Sequence, residues 1–290
     1  MLTQDIVSTV VSKFDFQVEK FPLSGPDNMP TSLYGLFRSG GTGKTECISK
    51  QSVTKQYVPH TTDDVLALVE AGANAFDGEI NVDCYFRRGH YVNLMPTKEE
   101  RLEVYNNDGV IPRIIVNASY NGRAFNATMG FWRDLCSNMS MLRSVESTTV
   151  SIRHSSGLRL EMDELIEQFG VLKESWGDLS AAILNMQSRQ VAIADILKEI
   201  YGEPEKTEGR GATIHKNRTE LIVRRILSEQ ARTGRSAPTN GMVSAWEMFN
   251  GIQGYVQHDS SRKGDVTDFS RIIDASNDRA VRKAETLLVA

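Results

Sequence analysis

The spacing of apolar positions changes part-way along the chain. Over residues 1–155 they come in short runs rich in β-branched residues, at 32–38, 46–58, 80–86, 91–96 and 110–119. Side chains of a strand alternate between two faces, so these runs are read as strands. The run Ile114-Ile115-Val116-Asn117-Ala118-Ser119 leads into Tyr120-Asn121-Gly122-Arg123, and further apolar positions follow. Asn-Gly between apolar runs signals a tight hairpin, because both central residues of that turn need φ > 0. One helix interrupts the strands. Thr61 or Thr62 caps it, and Asp63 and Asp64 suit the positive end of its dipole. Val65, Leu66, Leu68 and Val69 give its apolar face, and it ends near Gly72.

After residue 155 the period lengthens. Leu165, Ile166, Phe169, Leu172, Trp176, Leu179, Ile183 and Leu184 recur close to every 3.6 residues, predicting a helix over 160–185. A second helix over 191–201 stops at Gly202 and Pro204. A third is expected over 216–231, after a polar loop at 203–213. A break at 233–240 precedes helices over 242–258 and 268–288. Trp246 shares a stripe with Val243, Phe249 and Ile252 and is expected in the core. Strands first and helices after is the order of an α+β fold. The expected architecture is an antiparallel sheet with hairpins and one helix over 1–155, then a mostly helical region over 156–290 packed on it.

Charge narrows the partners. The formal net charge is −4 over 290 residues, so any basic surface is local. No apolar run approaches the roughly 18 residues of a membrane span, and no membrane partner is expected. The first residues lack the basic stretch of a signal peptide. Cys47, Cys84 and Cys136 are scattered, with no disulfide framework and no metal pair, which points to the cytoplasm.

The sequence Gly40-Gly41-Thr42-Gly43-Lys44-Thr45 ends like a phosphate-binding loop. The full signature needs Gly where Arg38 stands, and the partitioning-ATPase variant needs Lys where Ser39 stands. Such a loop must also open a helix, whereas residues 46–54 are strand-like. It is read as a hairpin turn joining 34–38 to 47–53. The five histidines show no zinc-like spacing, and nothing marks a base for Cys136. Acid pairs such as Glu99-Glu100 and Asp163-Glu164 fit solvated helix starts. No catalytic residue, metal or cofactor is expected, and the chain does not read as an enzyme.

Basic and aromatic residues interleave in the strand half. Arg87-Arg88-Gly89-His90 forms a turn, and Arg113, Arg123, Arg133, Arg143, Arg153 and Arg159 follow at intervals. Tyr85, Phe86, Tyr91, Tyr120, Phe125, Phe131 and Trp132 lie among them. Two readings stand. In one, the arginines are solvated and the aromatics are core. In the other, Arg87, Arg88, His90, Tyr91, Arg113, Tyr120, Arg123 and Arg133 line a groove that holds a single strand by phosphate contacts and base stacking. A second basic zone spans 206–235, with eight Lys or Arg against three Glu, whereas 160–205 has ten acids against three bases. That asymmetry suggests subunit attraction or a nucleic-acid face.

Three places carry a resemblance. They are Leu36-Phe37-Arg38 with Gly43, Ile48-Ser49 and Tyr57-Val58-Pro59; Pro112-Arg113-Ile114-Ile115-Val116-Asn117-Ala118-Ser119-Tyr120-Asn121-Gly122 with Arg133-Asp134-Leu135-Cys136-Ser137-Asn138; and Ser244-Ala245-Trp246-Glu247-Met248-Phe249-Asn250-Gly251 with Tyr255-Val256-Gln257-His258. Together they resemble the phage/plasmid-like proteins of the domain-of-unknown-function 932 family. Gly251 and Gly254 depart from that pattern, which has Ala and Glu there. The family has no established activity, but it looks similar to phage single-strand annealing proteins. The resemblance implies a homo-oligomeric protein of the host cytoplasm that binds and anneals single-stranded DNA in recombination or replication, without covalent chemistry. The alternative is a phage interaction protein that inhibits a host defence or replication factor.

Overall fold

The computed structural model describes residues 2–39, 45–49, 51–76, 80–85, 90–96, 101–120, 124–133, 135, 138–140, 142, 149–152, 163–164, 166–203, 208–237, 239–260 and 275–289. The chain divides into two compact units that interleave along the sequence. The first comprises Met1–Glu99, Arg113–Met129 and Ser147–Glu174, and the second Glu100–Pro112, Gly130–Glu146 and Ser175–Ala290. Residues 100–112 and 130–146, placed by sequence in the sheet half, therefore belong to the second unit. The α+β class holds.

The first unit opens with a helix that the apolar pattern did not disclose, α1 (Gln4–Phe14). Thr3 caps it by accepting from the Ile6 amide, and Val10 and Phe14 are buried. Strands β1 (Gln17–Ser24) and β2 (Pro30–Ser39) pair antiparallel, and β2 also pairs with β3 (Thr45–Cys47) and β4 (Val53–Thr54). The register Ser39↔Thr45, Arg38↔Glu46 brackets the Gly-Lys-Thr sequence, whose residues 40–44 lie outside the described set. Thr45–Cys47 is strand, where a phosphate-binding loop needs the start of a helix.

Helix α2 (Thr62–Ala75) begins where its polar residues predict. Thr61 is the cap, and it forms a reciprocal capping box with Asp64. Its buried face packs on the hairpin of β5 (Ile80–Tyr85) and β6 (Tyr91–Pro96). Gly72 permits the close approach, since a Cβ there would lie 2.4 Å from Leu94 Cδ1. Strand β8 (Asp108–Asn117) lies beside β6, next to β9 (Phe125–Arg133), which pairs with β11 (Thr149–Ile152). This order fits the predicted Asn-Gly hairpin, although Asn121 and Gly122 are not among the described residues.

Strands β8 and β9 contribute residues to both units, as does helix α3 (Phe169–Ser188). In the second unit, the start of β8 pairs with β7 (Leu102–Tyr105) and the end of β9 with β10 (Asn138–Ser140). The remaining helices are α4 (Ile193–Tyr201), α5 (Arg210–Arg232), α6 (Ala245–Gly254) and α7 (Arg279–Leu288). Each falls where helical spacing was read, with shifted ends. A small ribbon of β12 (Gln190–Ala192) and β13 (Met242–Ser244) was not expected.

Helix α6 is the centre of this unit, with all ten residues buried. Helices α5 and α7 pack against it, and a π-helical turn, Tyr255–Asp259, continues it. Gly251 has a packing reason: a Cβ would stand 2.6 Å from Ile226 Cγ1 on α5. Trp246 is 0% exposed and lies against Phe131 and Phe249. Trp246→Ala is expected to cost about 3–5 kcal/mol, the usual range for deleting a buried aromatic. Chemical denaturation followed by circular dichroism checks this, and an unchanged midpoint contradicts the packing.

Candidate nucleic-acid interface

Arg87, Arg88 and Arg123 lie outside the described residues. The other predicted contacts of the first unit are Arg113, half-buried on β8, and His90, Tyr91 and Tyr120, all buried. Tyr120 stacks on the His60 ring at 4.1 Å between centroids, and its hydroxyl donates to the His60 carbonyl at 3.1 Å. His90 meets Tyr120 edge-on at 5.2 Å and packs beside Phe14 and Phe16. Its amide donates to Ser119 Oγ at 2.9 Å. These three residues form core, not an open stacking platform for bases. The rings of His90 and Tyr120 already pack against other side chains.

Burial pushes the His90 imidazole down to about 4, and the Arg38 charge adds to the effect. The unfolded chain takes up a proton near pH 6.5 that the folded chain refuses until about pH 4. His90 therefore stabilises the fold above about 6.5, and that contribution, at most about 3 kcal/mol, is lost as pH falls through this window. Melting temperatures from pH 8 to 4 should fall more steeply for the wild type than for His90→Gln. Parallel curves would contradict this.

Arg133 corrects the groove reading. It is 1% exposed and its cation is consumed inside the second unit. Nε donates to Asp108 Oδ1 at 2.6 Å, Nη2 to Asp108 Oδ2 at 2.7 Å, and Nη1 to Glu229 Oε2 at 2.6 Å. The guanidinium lies over the Trp246 ring, 5.4 Å from its centroid, while Trp246 Nε1 donates to Asp108 Oδ2 at 3.3 Å. No phosphate reaches this group. Beside it runs a second polar set. Ser244 and Glu247 form the capping box of α6, Arg235 Nη1 donates to Glu247 Oε1 at 2.7 Å, and Tyr105 donates to Ser244 Oγ at 2.7 Å. Neither Asp108 nor Glu229 was singled out from sequence. Each is an isolated acid more than 20 residues from Arg133, so no local spacing reveals them.

Removing Arg133 strands two buried carboxylates. Arg133→Ala is expected to destabilise the protein by about 3–5 kcal/mol, as when one partner of a buried ion pair is deleted. Urea unfolding tests it, and a loss below about 1 kcal/mol would show the acids to be solvated.

The second basic zone becomes one helix with a distinct outer face. Helix α5 turns Ile222, Ile226, Glu229 and Gln230 inward. At 3.6 residues per turn, Arg210, Arg218, Arg224, Arg225 and Arg232 fall within an arc of about 120° flanking that face. Arg210, Arg224 and Arg232 are exposed, and none has an ion-pair partner among the described residues. Arg225 is paired with Asp259. The helix is about 34 Å long, so the arc presents positive charge over a distance suited to several phosphates. Composition gave the excess of arginines, and the helix gives their alignment.

Among the described residues no helix is long and apolar enough to cross a membrane. No curated protein and no solved structure matches the chain. Residues 50–287 match a family described as Domain of unknown function (DUF932). That span holds the buried Arg133 cluster, α5 and α6, and it leaves out α1 and strands β1 to β3. The match covers most of the chain, which therefore belongs to the DUF932 family.

Proposed function

We propose that this protein binds and anneals single-stranded DNA in phage-type recombination or replication, acting in the cytoplasm as a homo-oligomer and without covalent chemistry. The observation that carries the reading is the arginine arc of α5, exposed on a chain whose net charge is −4. A polyanion is drawn to such a chain only through a local patch, because charges more than a Debye length away are largely screened. Arginines displace counterions from the strand, and a second strand is then sampled by base pairing. The buried Tyr91, Tyr120 and Arg133 take no direct part, and Arg87, Arg88, Arg113 and Arg123 are the strand half's candidates beside the arc.

One observation favours a second reading. The β1–β2 hairpin exposes Phe21 (44%), Met29 (65%) and Leu33 (42%), and it lies in the stretch that the family match omits. Exposed apolar side chains of this size suit a protein partner, such as a host factor held by an interaction protein.

Fluorescence anisotropy of a labelled single strand at two salt concentrations separates the two. Wild type is expected to bind more tightly than about 100 μM at low salt, the weak limit of non-specific affinity. Arg224→Glu with Arg232→Glu should weaken binding and reduce the salt slope by roughly 0.7 per lost contact. Arg113→Glu should matter less. No binding by wild type at low salt overturns the annealing reading and leaves the partner reading in its place.

A further inference from the structure

At the start of the arginine arc the second unit has a crevice of about 590 Å³, formed where α4 ends and α5 begins. Two arginines line it, Arg210 and Arg218, together with His215 and Tyr201. Arg218 is held in place. Its guanidinium lies over the Tyr201 ring, 4.4 Å from the centroid, which fixes the plane of the fork and leaves its edge for hydrogen bonding. His215 Nε2 stands 3.0 Å from the Gly202 carbonyl, tying the two helices across the crevice. The Tyr201 hydroxyl is shut off from solvent and has no hydrogen-bond partner among the described residues. Two acids also line the crevice. Glu203 is bound to Lys198 at 2.8 Å, and Glu208 alone opposes the two guanidiniums.

These contents suit a particular ligand. Two guanidiniums against one unpaired carboxylate favour an anion, and a planar fork favours the paired oxygens of a phosphate. Ile214, 47% exposed on the same wall, offers an apolar surface to a sugar or base. An internal phosphodiester carries one negative charge. A terminal phosphate monoester carries about 1.5 to 2 at neutral pH, which two cations match better.

We propose that this crevice binds the terminal phosphate of a nucleic-acid strand, setting one strand end at the head of the α5 arc. This rests on the single-strand reading above. From Arg218 to Arg232 the helix runs a further 21 Å or so, along which the following phosphates meet Arg224 and Arg232. The result is a polarity: the strand starts at a defined place and not at random along the helix.

The test uses the full chain and three labelled strands of one sequence, bearing a 5′-phosphate, a 3′-phosphate or only hydroxyl ends. Inorganic phosphate is titrated alongside by calorimetry. Wild type is expected to prefer one phosphorylated end by about tenfold, the worth of one charge-assisted hydrogen bond. Arg218→Gln should abolish that preference and the binding of inorganic phosphate, while the hydroxyl-ended strand still binds. Arg232→Gln, further along the arc, should weaken all three strands and keep the preference. Tyr201→Leu, which removes the ring beneath Arg218, should reduce the preference, and Tyr201→Phe, which keeps the stack, should preserve it. Strands bound with no end preference, together with no uptake of inorganic phosphate, overturn the crevice and leave the single-strand reading intact. If no strand binds, the annealing reading and the strand-end proposal fall together, and inorganic phosphate bound by wild type and lost in Arg218→Gln then leaves only an anion site in the crevice.

Discussion

The second unit is organised around one desolvated cation. Arg133 on β9 faces Asp108 on β8, Glu229 on α5 and Trp246 on α6, so four elements meet at a single guanidinium. Taking three charges out of water costs several kcal/mol each, and only close, directional contacts offset it. The contacts here have that quality. Asp108 receives a parallel pair of N–H groups, Glu229 takes a third, and the indole N–H supplies Asp108 with another donor. Two carboxylates share one arginine, so the cluster tolerates no loss of its positive member. An apolar side chain in its place would leave both acids buried and opposed.

That cluster also shows why Arg133 was read as part of a binding groove. In sequence, Arg113, Arg123 and Arg133 recur every ten residues among aromatics, which looks like a binding groove. Whether an arginine meets a phosphate or an internal carboxylate depends on which acids the fold brings to it. Asp108 and Glu229 come from 25 and 96 residues away. Pairing at that separation leaves no periodic trace. Tyr120 is misread in the same way. Its partner His60 lies 60 residues off, and the two rings stack face to face inside the first unit.

Features encoded locally were legible. The Thr61 cap, the hairpin of β5 and β6, the strand after Lys44 and the buried stripe through Trp246 each depend on neighbours within a few residues. Helix α1 was missed because most of its apolar side chains are β-branched. Val7, Val10 and Val11 in Asp-Ile-Val-Ser-Thr-Val-Val look like strand, and what makes them helical is the Thr3 cap and the burial of Val10 and Phe14. The β12–β13 ribbon was missed because each strand has only three residues, and their pairing joins positions some 50 residues apart.

The inward cluster and the outward arc are two faces of one helix. Glu229 points in, held by Arg133, and Gly251 lets α6 approach close enough for Ile226 to seat. These two contacts fix the rotation of α5 about its axis. At about 100° per residue, a helix whose inner face is pinned at 226 and 229 has no freedom in where 224 and 232 point. The exposed arginines are thus aligned by a buried ion pair that never meets a ligand. Arg225, next to the inner face, shows the limit of the arc, since Asp259 on the π-helical turn already neutralises it. Rotating the helix by one residue would bring Arg224 to that acid and drive Arg225 onto the buried face that Ile226 now fills. The surface charge pattern therefore follows from the packing beneath it. The outer face of α5 changes direction only if the Arg133 cluster is rebuilt with it.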